Sequence, residues 1–396
     1  MVLSASVFAG FSNGVFILAL PWLATLLTRD PLKIALVAAS VKLPWLLFTL
    51  PAGVWTDRAD RRRIIARADM VRALLSVSIM GLALGNGADT GNGTIWMLCL
   101  FGMVFGAAEV LRENAAMTII PSIVTKVDLE RANGNMWSVS QISGQFIGPP
   151  VAGMLIGLCP AIPFGVNAAS LAVSAVLIWL MALPVRPRRN SMGFLPALRE
   201  GLTWLLTSAK LLRLAMAVGV LNFFFMANYT ILVLYSQEVL GLSAAGHGLL
   251  LTSAATGGIA GAFFGSAVLR RFGLHGSMVL TLAGTALAYA VLAATSSVWI
   301  AVPALCFEMF NRLVWSVVTV SYRQRRIPDA LLGRINSLYR FFAWGTMPLG
   351  ALAGGWIVFL FDDVFGRQVA LHLPYAISTA SVILLAIYCA KSLKLS

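Results

Sequence analysis

The chain has 396 residues, 59% of them hydrophobic and only 11% charged, with a mean hydropathy of +0.86. A soluble domain carries about 25% charged residues, so this composition excludes a water-exposed globule and calls for a lipid bilayer. The net charge of +14 has no basic soluble domain to reside on, which argues against a nucleic-acid partner and assigns the charge to membrane topology.

Crossing a bilayer as a helix takes about 20 apolar residues. The apolar runs predict twelve spans, at about 3–27, 33–54, 65–85, 94–117, 134–158, 163–184, 212–235, 245–268, 276–295, 298–320, 335–361 and 369–390. Met1 runs into the first of these without the basic region or cleavage site of a signal peptide, so that run reads as the first helix. The longest polar connector divides the chain into an N-terminal six-helix half (1–184), a linker (185–211) and a C-terminal six-helix half (212–396). Within the connector, residues 195–206 are amphipathic and suit a surface-lying helix. Cys99, Cys159, Cys306 and Cys389 lie far apart. They read as free thiols, and no spacing suggests a metal or cofactor site.

Lys and Arg sit on alternate connectors. One side holds Arg58, Arg61, Arg62, Arg63, Arg67, Lys126, Arg131, then the linker, then Arg270, Arg271, Arg323, Arg325, Arg326 and Arg334. The other holds little beyond Arg29, Lys33 and Arg367. Positive charge stays in the cytoplasm, so both termini are expected there. The expected protein is multi-pass, in a bacterial cytoplasmic (inner) membrane, and monomeric.

The second span ends in Gly53-Val54-Trp55-Thr56-Asp57-Arg58-Ala59-Asp60-Arg61-Arg62-Arg63. This stretch resembles the G-x-x-x-D-R-x-G-R-R signature of the major facilitator superfamily, with Asp60 where the family has Gly. The resemblance implies an all-α fold of twelve transmembrane helices in two pseudo-symmetric halves, with a substrate site near the midplane. It also implies that Asp57 faces the positive end of helix 11, whose N-cap would be Asn336, as a cytoplasmic latch. Arg61 or Arg62 is then placed to pair with Glu113, while Arg58 and Arg63 have topology as the lesser alternative to a role in the latch.

Further along come Glu109-Val110-Leu111-Arg112-Glu113-Asn114 and Gln145-Phe146-Ile147-Gly148-Pro149-Pro150-Val151-Ala152-Gly153. Together with Leu20-Pro21-Trp22 and Leu43-Pro44-Trp45, they resemble the enterobactin-exporter-like branch of that superfamily, which implies export of siderophore- or drug-like molecules. Gly144, Gly148, Pro149 and Gly153, with Pro150 beside them, also match the antiporter signature of drug-efflux members. Proline bends helices and glycine lets them approach closely, so plain packing explains the stretch equally well. Pro348, Gly350 and Gly354 repeat the pattern in the second half.

Charges inside apolar spans point to function, because each costs a few kcal/mol unless it faces a cavity or a partner. Lys42, Glu109, Glu308, Arg312 and Arg340 qualify. Lys42 and Glu308 are expected near the midplane, and Glu308 and Arg312 share a helical face. The two carboxylates are the expected proton carriers, Glu109 first because Arg312 suits Glu308 to a fixed ion bridge. Asn13, Gln141, Gln145, Asn167, Asn222, Asn228, Asn311, Trp137, Trp315 and Tyr339 are candidate cavity residues. The expectation is proton-coupled export of a small amphipathic molecule. An importer of the same fold is the alternative, since fold does not set direction. A non-transporting receptor would be expected to have an uncharged cavity. No P-loop, metal-ligand set or nucleophile–base pattern suggests an enzyme.

Overall fold

A computed structural model describes residues 1–58, 60–85, 92–123, 129–181, 203, 206–327, 339 and 341–393. The chain divides into two compact units, Met1–Ser191 with Leu242–Thr252, and Met192–Gly241 with Ser253–Ser396. Among the described residues the regular secondary structure is helical throughout.

The first unit contains α1 (Val2–Leu27), α2 (Pro31–Arg58), α3 (Arg61–Gly85), α4 (Asn92–Ile123), α5 (Leu129–Gln141), α6 (Gly148–Leu158) and α7 (Ile162–Trp179). Aspartates start two of them. Asp30 Oδ1 accepts from the backbone N–H of Leu32 at 2.9 Å and of Lys33 at 3.4 Å. Pro31 then occupies the first helical position, where no N–H is needed. Asp60 Oδ1 accepts from the N–H groups of Arg62 at 3.0 Å and Arg63 at 3.4 Å. The residue that departs from the superfamily signature is therefore the N-cap of α3, satisfying backbone donors that glycine leaves free.

A π-helical turn, Ile142–Ile147, joins α5 to α6. Pro149 and Pro150 bring no N–H, so the carbonyls of Gln145 and Phe146 lose their α-helical donors. The wider turn lies where that ladder fails. This bent helix packs closely on α1. A Cβ added to Gly148 would lie 2.6 Å from Gly14 Cα, and one on Gly144 would lie 3.0 Å from the Gly10 carbonyl oxygen. Gly153 likewise meets the backbone of Ala244 and Ala245, and Gly248 that of Pro149 and Pro150.

The second unit contains α8 (Ala209–Leu234), most of α9 (Ala244–Ala294), α10 (Val298–Arg326), α11 (Met347–Phe365) and α12 (Arg367–Ser392). α9 is two spans joined without a loop. Gly273, at φ 67°, turns the chain between them, a conformation that glycine adopts readily. α11 packs on α8 as the bent helix packs on α1: a Cβ on Gly350 would strike the Phe223 carbonyl, and one on Gly354 the Ala227 carbonyl. Pro348 stands in the first turn of α11.

Among the described residues, ten helices are long and apolar enough to cross a membrane. Dividing α9 at Gly273 and joining α5 to α6 across the π turn gives the expected twelve. Several boundaries move: α4 runs on to Ile123, past 117, α5 starts at Leu129, ahead of 134, α7 ends at Trp179, short of 184, α8 starts at Ala209, ahead of 212, and α10 runs on to Arg326, past 320. The linker's amphipathic segment lies largely outside the described residues.

Candidate functional site

A cavity of about 320 Å³ lies inside the second unit. One wall is a single face of α10, carrying Glu308, Arg312, Trp315, Thr319 and Arg323 at spacings of four, three, four and four. A second wall is Thr281, Thr285 and Tyr289 of α9, one helical turn apart each. Asn222 of α8 and Tyr339 and Trp344 ahead of α11 complete the polar and aromatic lining. The polar stripes of these otherwise apolar helices meet at the cavity.

Inside this cavity the two opposite charges are not each other's hydrogen-bond partners. Arg312 Nη2 donates to Asn222 Oδ1 at 2.9 Å, and its guanidinium lies 3.6 Å from the centre of the Phe225 ring. Asn222 is itself anchored, donating through Nδ2 to the Ala343 carbonyl at 2.6 Å. Glu308 is buried and accepts from the Tyr289 hydroxyl at 3.3 Å. Arg323 lies 3.8 Å over the Tyr339 ring. The Trp315 indole N–H is buried without a hydrogen-bond partner.

The first unit holds a charge network of the opposite character. Asp69 and Arg72 are fully buried, and Arg112 nearly so. Asp69 Oδ1 accepts from Arg112 Nε at 2.8 Å and lies 3.5 Å from Arg72 Nη1, while Oδ2 accepts from the Ser174 hydroxyl at 2.7 Å. Arg72 Nη2 donates to Asn13 Oδ1, and the guanidinium lies 4.4 Å over Phe105. Asn167 extends the network, accepting from Ser12 at 3.1 Å and Ser76 at 3.0 Å. Asn13 and Asn222 each lie three residues after a glycine of a helix seam, Gly10 and Gly219, and each receives an arginine that also caps a phenylalanine. The first unit neutralises that arginine with Asp69; the second leaves its counterpart facing a cavity.

The expectation that Glu109 and Glu308 are the carboxylates well inside the spans is corrected by Asp69, which lies in α3 and is buried with two arginines. Glu109 is half-buried and bears electrostatically on Arg72. Arg62 does not serve Glu113: it donates to the Met181 carbonyl at 2.9 Å and lies 5.6 Å from the Trp179 ring centre. Glu113 pairs with Arg112 at 3.8 Å.

Of the cavity candidates, Asn222, Trp315 and Tyr339 line the space with Glu308 and Arg312. Asn13 and Asn167 belong to the first unit's network. Asn228 accepts from Ser378 of α12 at 3.2 Å, and Asn311 donates back to the Phe307 carbonyl at 2.7 Å; both are interior ties between or along helices. Lys42, Gln141 and Gln145 are half-buried in the first unit. Asn336 and Arg340 lie outside the described residues, as do the side chains of Asp57, Arg58 and Trp137 and the surroundings of Gly53.

Three comparisons bear on what this arrangement belongs to. Residues 1–393 match the transmembrane secretion effector family. The chain belongs to that family. Its relatives include the multidrug efflux pump Tap of Mycolicibacterium fortuitum, 26% identical over 372 residues, covering 90% of this chain and 88% of that one. They also include the enterobactin exporter EntS of Escherichia coli O1:K1 / APEC, 26% identical over 334 residues, covering 83% and 77%. The solved nucleoside transporter NupG has a TM-score of 0.74 at 14% identity, over 98% of this chain and 96% of that one. A bacterial homologue of the iron transporter ferroportin, in its inward-facing state, also scores 0.74, at 16% identity and 97% of both chains. These likenesses show the major facilitator fold.

This chain is thus a multi-pass membrane transporter with a small-molecule substrate, and not an enzyme. Sequence reasoning missed Thr281, Thr285 and Tyr289, although their spacing of four is a polar stripe on an apolar helix. It also missed Asp69 and Arg72, whose place near the start of α3 reads as an extension of the arginine-rich loop.

Proposed function

We propose that this chain exports a small amphipathic molecule from the cytoplasm in exchange for protons, as a monomer in a bacterial cytoplasmic membrane with both termini inside and no nucleic-acid partner. The observation that carries this reading is Glu308, buried in the wall of a polar cavity and held by Tyr289. Proton coupling needs a group that gains and loses charge within the membrane, and a carboxylate is suited to this where an arginine is not. Glu109 is the weaker carrier, because it neighbours Arg72 in a network whose charges are largely matched. The direction rests on the relatives: Tap is an efflux pump and EntS an exporter by name.

In the exchange cycle, ionised Glu308 holds substrate taken from the cytoplasm, and a proton from outside displaces it. Vesicles that accumulate a fluorescent amphipathic dye under a proton gradient test this. Glu308→Gln should abolish gradient-driven accumulation and spare downhill exchange, while Glu109→Gln keeps gradient dependence. Full gradient dependence in Glu308→Gln overturns the assignment.

A further inference from the structure

The cavity wall of the second unit has more hydrogen-bond donors than its own acceptors use. An arginine side chain has five N–H donors, and the contacts of Arg312 are one hydrogen bond to Asn222 and the Phe225 ring face. The Trp315 N–H beside it has no partner at all. Leaving such a buried donor unpaired costs about 1–3 kcal/mol, a penalty a ligand acceptor would remove. One turn away stands the opposite chemistry: Glu308, an acceptor with Tyr289 as its donor. Between and around them the lining is aromatic, with Tyr289, Tyr339 and Trp344.

We propose that this wall selects amphoteric aromatic molecules, with an anionic group on Arg312 and Trp315, a cationic or donating group on Glu308, and a ring between them. Glu308 and Arg312 are four residues apart, a rise of about 6 Å, which is close to the span of a para-substituted benzene ring with its charged groups. A cavity of about 320 Å³ is at the small end of ligand sites, which run from about 300 to 1,000 Å³. The inference rests on the export reading for its second half: a proton can displace the substrate only if the substrate has a group on Glu308. A plain anion would do the reverse, since it would occupy Arg312 and favour a protonated Glu308. The charged and titratable groups facing Glu308 are Arg312 on its own helix, Tyr289 of α9 and Tyr375 of α12.

Calorimetric titration of the intact purified protein in detergent tests the inference without any gradient. The probes are 4-(aminomethyl)benzoate, 4-methylbenzoate and 4-methylbenzylamine, which share one ring and differ in charge. The first should bind at least about tenfold more tightly than either of the others. Trp315→Phe removes one N–H, and should weaken both carboxylates by about tenfold while leaving the amine unchanged. Glu308→Gln should erase the advantage of 4-(aminomethyl)benzoate over 4-methylbenzoate, which decides the matter even if Trp315→Phe does not fold. Equal binding of 4-methylbenzoate would make this a plain anion site, and equal binding of the amine a plain cation site. Either result, or no binding by all three, overturns the proposal. Since none of these readouts uses transport, the export reading stands or falls separately in the vesicles.

Discussion

Arg72 is fully buried beside Asp69, while Arg312 borders a cavity with Asn222 and Phe225 as its contacts. The difference predicts different responses to losing the nearby acid. Asp69→Asn takes away the carboxylate that Arg72 and Arg112 share and leaves Arg112 only its contact with the partly exposed Glu113, and removing one member of a buried ion pair costs about 3–5 kcal/mol. Unfolding in detergent should show a loss of that size. Glu308→Gln breaks no ion pair and alters one hydrogen bond, from Tyr289. Its stability should fall by only about 1 kcal/mol, so lost transport in that variant would report on chemistry and not on folding. Asp60→Ala removes the cap of α3 and should cost about 1 kcal/mol, whereas Asp60→Gly should cost only a few tenths.

At the scale of elements, the bent helix of α5, the π turn and α6 is held against α1 by backbone contact at Gly14 and Gly148. Gly148→Val has nowhere to put its side chain, and overpacking of this kind costs about 1–3 kcal/mol. Gly157, on the same helix, has open space where a Cβ would go. Gly157→Ala should therefore leave the melting temperature unchanged or raise it slightly, since alanine favours a helix by up to about 1 kcal/mol over glycine. Thermal unfolding of both variants separates seam glycines from incidental ones. The helices themselves were legible in the sequence because a bilayer imposes length and apolarity on each span. The site was legible only in part. Glu308, Arg312, Asn222, Trp315 and Tyr339 stand out as polar or aromatic residues in apolar runs, but which helices bring them together is a matter of packing. Asp69 escaped because the arginines near it in sequence, Arg67 and Arg72 among them, look the same whether they face water or a buried acid. The π turn escaped because Pro149 and Pro150 predict a disturbed ladder without saying how the backbone absorbs it.

For the whole molecule, the arginine asymmetry between connectors predicts orientation. A reporter fused after Gly91 should behave as external, and one fused at the C-terminus as cytoplasmic; the opposite result at either site would overturn the topology. The unequal fate of Arg72 and Arg312 has a consequence for how such a protein acquires new cargo. A side chain locked among matched charges has little freedom to change, whereas one bordering empty space can be surrounded by new neighbours without unfolding the chain. In a saturation library, Asn13, Asp69, Arg72 and Arg112 should tolerate almost nothing. Thr281 and Thr285 should accept more replacements, each altering which compounds the protein carries. Drift toward a different cargo would then be recorded in α9, while α1 and α3 stay nearly fixed.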